Sequence, residues 1–291
     1  MTIDRKSVVL LTGASSGLGA ALAEALGARG ARVALVARRT GLLEAVAARV
    51  RDAGGTPLVL PADVSIEADC ARVVEQTLET FGTVDVLVNN AGRGNRASVE
   101  DTTTADLENM FKLNVYSQFW LAAHVLPAMK KQASGHIVNI SSFAGKVGFP
   151  FNAAYVASKH AVVGFTASLR AELLDTGVEA TCVCPAGIIT DWADVSDGGP
   201  IGEVFAQGIK ASRTIARDRA LPLAPLTRMM TATDVATQIL EAIDAGRSDD
   251  LFTHEGTEEQ ALLACTQRRA LEDTMLPMFL GMREAYEASS R

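Results

Sequence analysis

Short apolar runs alternate with longer amphipathic or Ala/Leu-rich runs over most of the chain. Residues 7–12 (SVVLLT) are apolar and β-branched, and Gly13 follows them. A run of that length closed by glycine predicts a strand buried on both faces. The run AALAEALGARG after it predicts a helix ending at Gly30. The couplet then repeats. Arg32–Ala37 predicts a strand, with a helix through RRTGLLEAVAARVRDAGG. Residues 56–60 predict a strand and Glu67–Phe81 a helix. Residues 84–89 (VDVLVN) predict a strand, and 104–132 one long helical region that Pro127 bends near its end. Residues 135–141, 152–175 and 178–184 predict the fifth strand, a helix and the sixth strand. Every crossover is long enough for a βαβ unit. The pattern therefore predicts an α/β fold, a doubly wound parallel sheet with right-handed crossovers. Ligands of such sheets lie outside the carboxyl ends of the strands, near the switch in strand order.

The last third is less regular. Residues 191–200 (DWADVSDGGP) are turn formers, 201–219 predict a helix, and 221–226 (LPLAPL) break it. A helix over 231–245 follows, with Asp234 in its first turn, then a short seventh strand over 251–253. An amphipathic helix over 257–275 is expected to break near Pro277, with 278–287 beyond it. Leu276, Met278, Phe279, Leu280 and Met282 form an apolar cluster there. It could cover a cleft, dock on a partner subunit or pack on its own core. Docking on the same or a partner subunit fits better than a membrane, because the polybasic face a membrane helix needs is missing.

Composition narrows the function. The chain has 291 residues, 48% hydrophobic and 21% charged, enough apolar matter for a large core. A net charge of −7 argues against a nucleic-acid partner, since phosphate neutralisation needs a basic surface. Cys70, Cys182, Cys184 and Cys265 form no CxxC pair and read as free thiols of a reducing compartment, with no metal site expected. The first residues enter a strand without a signal-peptide pattern, and no uncharged apolar run reaches the roughly 18 residues that span a membrane. A cytoplasmic protein with no membrane partner is the expectation.

The candidate chemistry collects at predicted strand ends. Gly13, Gly17 and Gly19 lie between the first strand and helix with the spacing GxxxGxG, a variant of the dinucleotide fingerprint. Backbone N–H groups and the positive end of the helix dipole would face one anion there; a plain strand–helix turn is the alternative. The second strand ends in Ala37 followed by Arg38 and Arg39, where an acidic residue would select NAD. Two guanidiniums favour a 2′-phosphate, hence NADP(H), unless they only begin a solvated helix. Asp63 follows the third strand and could accept from an adenine amino group or cap the next helix, although Ser65 is the better-placed N-cap. The NNAG run, Asn89 to Gly92, could tie strand ends together or form a simple turn. Asn114 lies inside a predicted helix, where its side chain competes for backbone bonds, so it marks a kink, an interior polar role or an ordinary surface position. Ser141 and Ser142 end the fifth strand. Among three tyrosines, only Tyr155 has a cation four residues on, Lys159. That offset puts both on one helix face, and the ammonium would lower the phenol's pKa toward working pH. A Tyr packed under a Lys stem has the same spacing.

Taken together, these residues resemble the short-chain dehydrogenase/reductase family, a Rossmann-type fold. The motifs are Thr12-Gly13-Ala14-Ser15-Ser16-Gly17-Leu18-Gly19, Asp63-Val64, Asn89-Asn90-Ala91-Gly92, Asn114, Ile140-Ser141-Ser142, Tyr155-x-x-x-Lys159 and the segment from Pro185 to Thr190. They stand in family order and cover about the first two-thirds of the chain. The resemblance implies a catalytic set of Asn114, Ser142, Tyr155 and Lys159. Ser142 would hold the substrate oxygen, Tyr155 would exchange its proton with it, Lys159 would bind the nicotinamide ribose and keep the phenol acidic, and Asn114 would anchor a water leading to solvent. It implies that the turn from Gly13 to Gly19, including Ser16 and Leu18, receives the pyrophosphate. Ser15 and Arg38, with Arg39 as their neighbour, would take the 2′-phosphate, and Asp63 and Val64 would meet adenine. Asn90, Ala91, Gly92, Pro185, Gly187, Ile188 and Thr190 would lie along the nicotinamide end.

One departure stands out. The family usually has Pro-Gly after the sixth strand, and here Pro185-Ala186-Gly187 puts the local backbone in question. In the family the segment 191–230 covers the substrate; Trp192 is a candidate substrate contact there, with a plain lid or core contact as the favoured alternative. The resulting division is a single catalytic domain over 1–255 and a helical extension over 256–291. The expected activity is NADP(H)-dependent interconversion of a ketone or aldehyde and an alcohol by a homodimer or homotetramer. A 3-oxoacyl thioester reductase and a non-catalytic cofactor-binding regulator are the rivals.

Overall fold

In the computed structural model, residues 1–190, 196–197, 201–223 and 228–289 are described. Trp192 and most of 191–200 lie outside them. The strands are β1 (Val8–Thr12), β2 (Arg32–Ala37), β3 (Thr56–Pro61), β4 (Val86–Asn89), β5 (Gly135–Ile140), β6 (Val178–Val183), and three two-residue strands, β7 (Ile188–Ile189), β8 (Met230–Thr231) and β9 (Asp250–Leu251). The helices are α1 (Gly17–Ala28), α2 (Thr40–Asp52), α3 (Glu67–Phe81), α4 (Thr104–Phe111), α5 (Ser117–Lys131), α6 (Ala153–Glu172), α7 (Ile201–Asp218), α8 (Ala232–Asp244), α9 (Thr257–Thr266) and α10 (Arg268–Ser289).

Seven strands form one sheet in the order β3-β2-β1-β4-β5-β6-β9, every pair parallel. Period-two alternation sends Val9 and Leu11 to one face and Leu10 to the other. One face is covered by α1, α2 and α8, the other by α3, α5 and α6. β1 is therefore buried along its whole length, which explains its unbroken apolar sequence. Strand order reverses between β1 and β4, so the crevice at their carboxyl ends is the ligand position this topology provides.

Two expectations need correction. The region expected as one helix over 104–132 is two, joined by a π-helical turn over Lys112–Tyr116 that carries Asn114 inward to zero exposure. The C-terminal helix does not break at Pro277: it runs through it, and the break falls at Gln267 (φ −144°, ψ 55°). Pro277 removes only the bond to the carbonyl of Asp273, which lies on the exposed side, while Pro277 itself is buried. The pairing of β7 with β8 was not foreseen, because two-residue strands leave no periodic signal.

The apolar C-terminal cluster packs on its own chain. Met278 and Phe279 lie against Phe143 and Val147. Helix α10 crosses α7 at two glycines: a Cβ at Gly281 would stand 2.3 Å from the Gly208 carbonyl oxygen. Farther along α10, Tyr286 stacks on Phe151 with centroids 4.0 Å apart, and its Oη accepts from the Ser98 N–H at 3.1 Å. Arg96, Phe151, Asn152, Val204, Phe205 and Met282 line a small cavity where α7 and α10 meet the start of α6.

His136 in β5 is 1% exposed, with Nε2 2.8 Å from Thr181 Oγ1. Burial pushes its pKa down to about 4. The folded chain keeps it neutral, whereas the unfolded chain takes up a proton below about pH 6.5. Its contribution is therefore full above that pH and is lost as pH falls toward about 4, by roughly 3 kcal/mol at the limit. Urea denaturation of His136→Asn should show a shallower fall in stability across this window than the native chain; parallel curves would remove His136 as the cause.

Candidate active site

The Gly-rich turn joins β1 to α1. Gly13 and Gly17 have φ of +66° and +55°, and a Cβ at Gly19 would lie 2.2 Å from the Gly13 carbonyl oxygen. Only glycine allows both the left-handed backbone and that approach. Ser16, the N-cap of α1, makes no side-chain capping bond. Its hydroxyl instead takes the Arg39 guanidinium at 2.8 Å, and Ser15 Oγ takes the same nitrogen at 3.1 Å. Arg38 lies 3.8 Å from the Asp63 carboxylate in an exposed pair. The structure thus places Arg39, rather than Arg38, against the turn. Asp63 also accepts from the Ser65 N–H and hydroxyl at 3.0 and 2.7 Å, and makes no cap to α3, whose N-cap is Ile66. Leu18 and Val64 turn their side chains into the two cores, so each can offer a ligand only its backbone.

Asn90 ties the ends of β1 and β4 together. Its Nδ2 donates to the Thr12 carbonyl at 3.0 Å, and Thr12 Oγ1 accepts from the N–H groups of Asn90 and Ala91, both at 3.0 Å. Asn89 continues the tie into β5 through Asn139 at 2.8 Å, and Asn139 reaches Thr166 on α6 at 3.0 Å. These buried amides fix strand ends where a hydrophobic contact would leave register looser. At Gly92 a Cβ would stand 3.1 Å from Asn114 Oδ1 and 3.4 Å from Lys159 Nζ, so this glycine keeps space open beside both.

Asn114 clamps the next residue from the π turn. Its Oδ1 accepts from the Arg93 N–H at 3.1 Å, and its Nδ2 donates to the Arg93 carbonyl at 2.9 Å and to Ser158 Oγ at 3.1 Å. Its main-chain carbonyl accepts from Gln118 Nε2 at 3.0 Å. Ser158 and Gln118 were not picked out from the sequence, since nothing in their local pattern marks them.

Ser142 lies two residues past β5, with Oγ 3.4 Å from the Pro185 carbonyl and 3.1 Å from the Ala144 N–H. Tyr155 and Lys159 come from the first turns of α6. The Ser142 hydroxyl hydrogen-bonds the Tyr155 phenol. Lys159 is 4% exposed, its Nζ donates to the Ile140 carbonyl at 2.9 Å, and it lies 5.7 Å from the Tyr155 ring centre. Ser141 Oγ donates to the Lys159 carbonyl at 2.9 Å and locks α6 to the strand end. The electrostatics reverse the expectation of an acidified phenol. Burial raises the Tyr155 pKa to about 12, the Ser142 bond opposing it, and burial lowers Lys159 to about 8. Desolvation of each group outweighs their mutual effect at this separation.

Past β6, Ala186 shows no left-handed backbone, so the departure from Pro-Gly brings no strain. A Cβ at Gly187 would meet only the exposed, flexible Met229 side chain. Thr190 lies over the turn, with its Cβ 3.3 Å from where a Gly17 Cβ would be. The glycine-lined cradle, the α1 N-terminus and the guanidinium beside it fit a dinucleotide. Trp192 falls outside the described residues.

A parallel sheet with a glycine-lined cradle at its switch point, faced by Ser142, Tyr155 and Lys159, defines a dinucleotide-dependent oxidoreductase class. A family profile described as short chain dehydrogenase matches residues 7–197. The Dehydrogenase/reductase SDR family member 7B of Rattus norvegicus is 34% identical over 261 residues, covering 86% of this chain and 74% of the relative. The Ketoacyl reductase HetN of a Nostoc species is 38% identical over 185 residues, 64% of either chain. Among solved structures, levodione reductase superposes with a TM-score of 0.75 at 30% identity, over 87% of this chain and 98% of that one. A short-chain dehydrogenase/reductase of Burkholderia phymatum in complex with NAD gives 0.77 at 29% identity, over 93% and 96%. The chain belongs to the short-chain dehydrogenase/reductase family, oxidoreductases that bind a nicotinamide cofactor. Among the described residues no helix is long and apolar enough to cross a membrane.

Proposed function

We propose that the protein is an NADP(H)-dependent oxidoreductase that interconverts a ketone or aldehyde and an alcohol, with Tyr155 as the general acid/base. The observation that carries the reading is the Ser142–Tyr155 hydrogen bond one helical turn from buried Lys159. The bound nicotinamide supplies or accepts the hydride. Ser142 Oγ and Tyr155 Oη converge on one substrate oxygen. In reduction, the phenol gives its proton to that oxygen while the Ser142 hydroxyl holds it in place. Lys159 holds the nicotinamide ribose and favours the phenolate that remains. Asn114 keeps the loop after β4 clear of Lys159 and anchors the water that resupplies the proton. Gly13 to Gly19 receive the pyrophosphate, Asp63 and Val64 the adenine, and Pro185 to Thr190 the nicotinamide. Arg39 beside Ser15 and Ser16, with Arg38 adjacent and no carboxylate at Ala37, supports NADP(H), although one structural neighbour is in complex with NAD. Buried free Cys70, Cys182 and Cys184 support a cytoplasmic setting.

A panel of ketones, aldehydes and alcohols with NADPH or NADP⁺ absorbance as readout tests the activity; no turnover on any member would leave the regulator reading. The name of the Nostoc relative favours a second reading, a 3-oxoacyl thioester reductase, so the panel includes acyl thioesters. A homodimer or homotetramer belongs to the same proposal. Leu107, Tyr116 and Phe119 are 42–48% exposed on α4, the π turn and α5, and Phe119 stacks on Phe165 of α6 at 3.8 Å. Light scattering at micromolar concentration should give a dimer or tetramer mass, and a monomer would reject the assembly.

A further inference from the structure

We propose that His254 is a positioning residue for the nicotinamide side of the site, acting as a neutral Nε2–H imidazole on the backbone of Ala186 and Gly187. The inference rests on the dinucleotide reading above. The ring is 5% exposed, three residues beyond β9. Its Nδ1 lies 3.2 Å from the Ala186 N–H and its Nε2 lies 2.9 Å from the Gly187 carbonyl oxygen. An amide can only donate and a carbonyl can only accept, so the two partners fix the tautomer. Thr253 Oγ1, 2.8 Å from Nδ1, adds a second donor to the same lone pair. Burial also holds the ring below the ordinary histidine range, in keeping with the neutral form. A ring carrying protons on both nitrogens would turn an N–H toward the Ala186 N–H.

The segment so held runs between the two halves of the site. The Pro185 carbonyl accepts from the Phe143 N–H at 2.8 Å and from Ser142 Oγ at 3.4 Å, which fixes its start to the catalytic strand end. The Gly187 carbonyl also accepts from the Met230 N–H at 3.0 Å, and Ile188–Ile189 pair with Met230–Thr231. Thr190 then arrives over Gly17. Between these two anchors stands the substitution of Ala186 for the usual glycine, and the His254 ring bonds both residues on either side of that peptide. The His254 carbonyl in turn accepts from the Thr257 N–H at 3.3 Å, where α9 begins. His254 therefore joins the start of α9, through its carbonyl, to the Ala186–Gly187 backbone, through its ring.

The test compares H254F, H254N and H254Q with the native chain. Phe keeps the ring volume and loses both bonds. Asn can restore the acceptor near Nδ1, and Gln the donor near Nε2. NADPH affinity by fluorescence titration should weaken about tenfold in H254F and partly recover in H254N and H254Q, with thermal midpoints recorded alongside. Long-range ¹⁵N NMR on the native protein should show Nε2 protonated and Nδ1 bare at neutral pH. A folded H254F with native NADPH affinity overturns the proposal, as does an Nδ1-protonated or charged ring. If H254F does not fold, the two amide variants and the native spectrum decide. If the native chain binds neither NADPH nor NADH, the dinucleotide reading itself fails; a negative result confined to the variants leaves that reading standing.

Discussion

Tyr155→Phe is expected to lower turnover by about 10²–10⁴-fold while NADPH affinity stays near that of the native enzyme. The substitution removes one oxygen. Ring packing on α6, the Lys159–Ile140 bond and the Gly-rich cradle do not depend on it. What disappears is the proton donor that the Ser142 hydroxyl orients. The measured pair is kcat on an accepted carbonyl and Kd for NADPH; near-native kcat would remove Tyr155 from proton transfer. A pH profile adds a second signature. A phenol near 12 stays protonated across the working range, so it is ready to donate, whereas Lys159 near 8 gives up its charge within that range. Reduction should therefore decline as pH rises through about 8, when the cation that favours the remaining phenolate is lost.

The double substitution of Arg38 and Arg39 by Ala is expected to weaken NADPH by roughly 10²–10⁴-fold and to leave NADH little changed. Each guanidinium–phosphate bond is charge-assisted, worth about 1.5–3 kcal/mol. The single variants separate the two arginines. Arg39 already lies on Ser15 and Ser16, so Arg39→Ala should cost NADPH at least as much as Arg38→Ala. Arg38 would give up only an exposed pairing with Asp63, which contributes little by itself. Equal losses for NADPH and NADH would show that neither residue reads the 2′-phosphate.

The parts of this protein that could be read from sequence are those whose chemistry requires fixed local spacing. Gly13, Gly17 and Gly19 must follow a strand and open a helix, and they do. Tyr155 and Lys159 need one helix face, and α6 provides it. The succession of strands and helices along the chain followed from alternating couplets, although β4 begins two residues late, at Val86, and β9 one residue early, at Asp250. What escaped depends on contacts distant in the chain. The π turn exists where Asn114 reaches Arg93 and Ser158, and no helical periodicity encodes that. Which arginine faces the turn depends on the direction the backbone takes after Ala37, which composition does not specify. The expected effect of Lys159 on the phenol treated two groups as if in water. Burial changes the sign of the outcome. His254, far from every motif, gives no local signal, because its importance lies in the two backbone atoms it meets.

The glycine crossing of α7 and α10 has a mechanical consequence. With the Gly281 and Gly208 backbones in direct apposition, neither helix can slide or rotate without carrying the other. The pair therefore moves as one unit beside the start of α6. Any displacement of one helix away from the start of α6 would have to carry both together, against the Tyr286–Phe151 stack. That displacement would also break the Ser98–Tyr286 hydrogen bond and lift Arg96 off the Tyr286 ring, so the far end of α10 holds the pair in place.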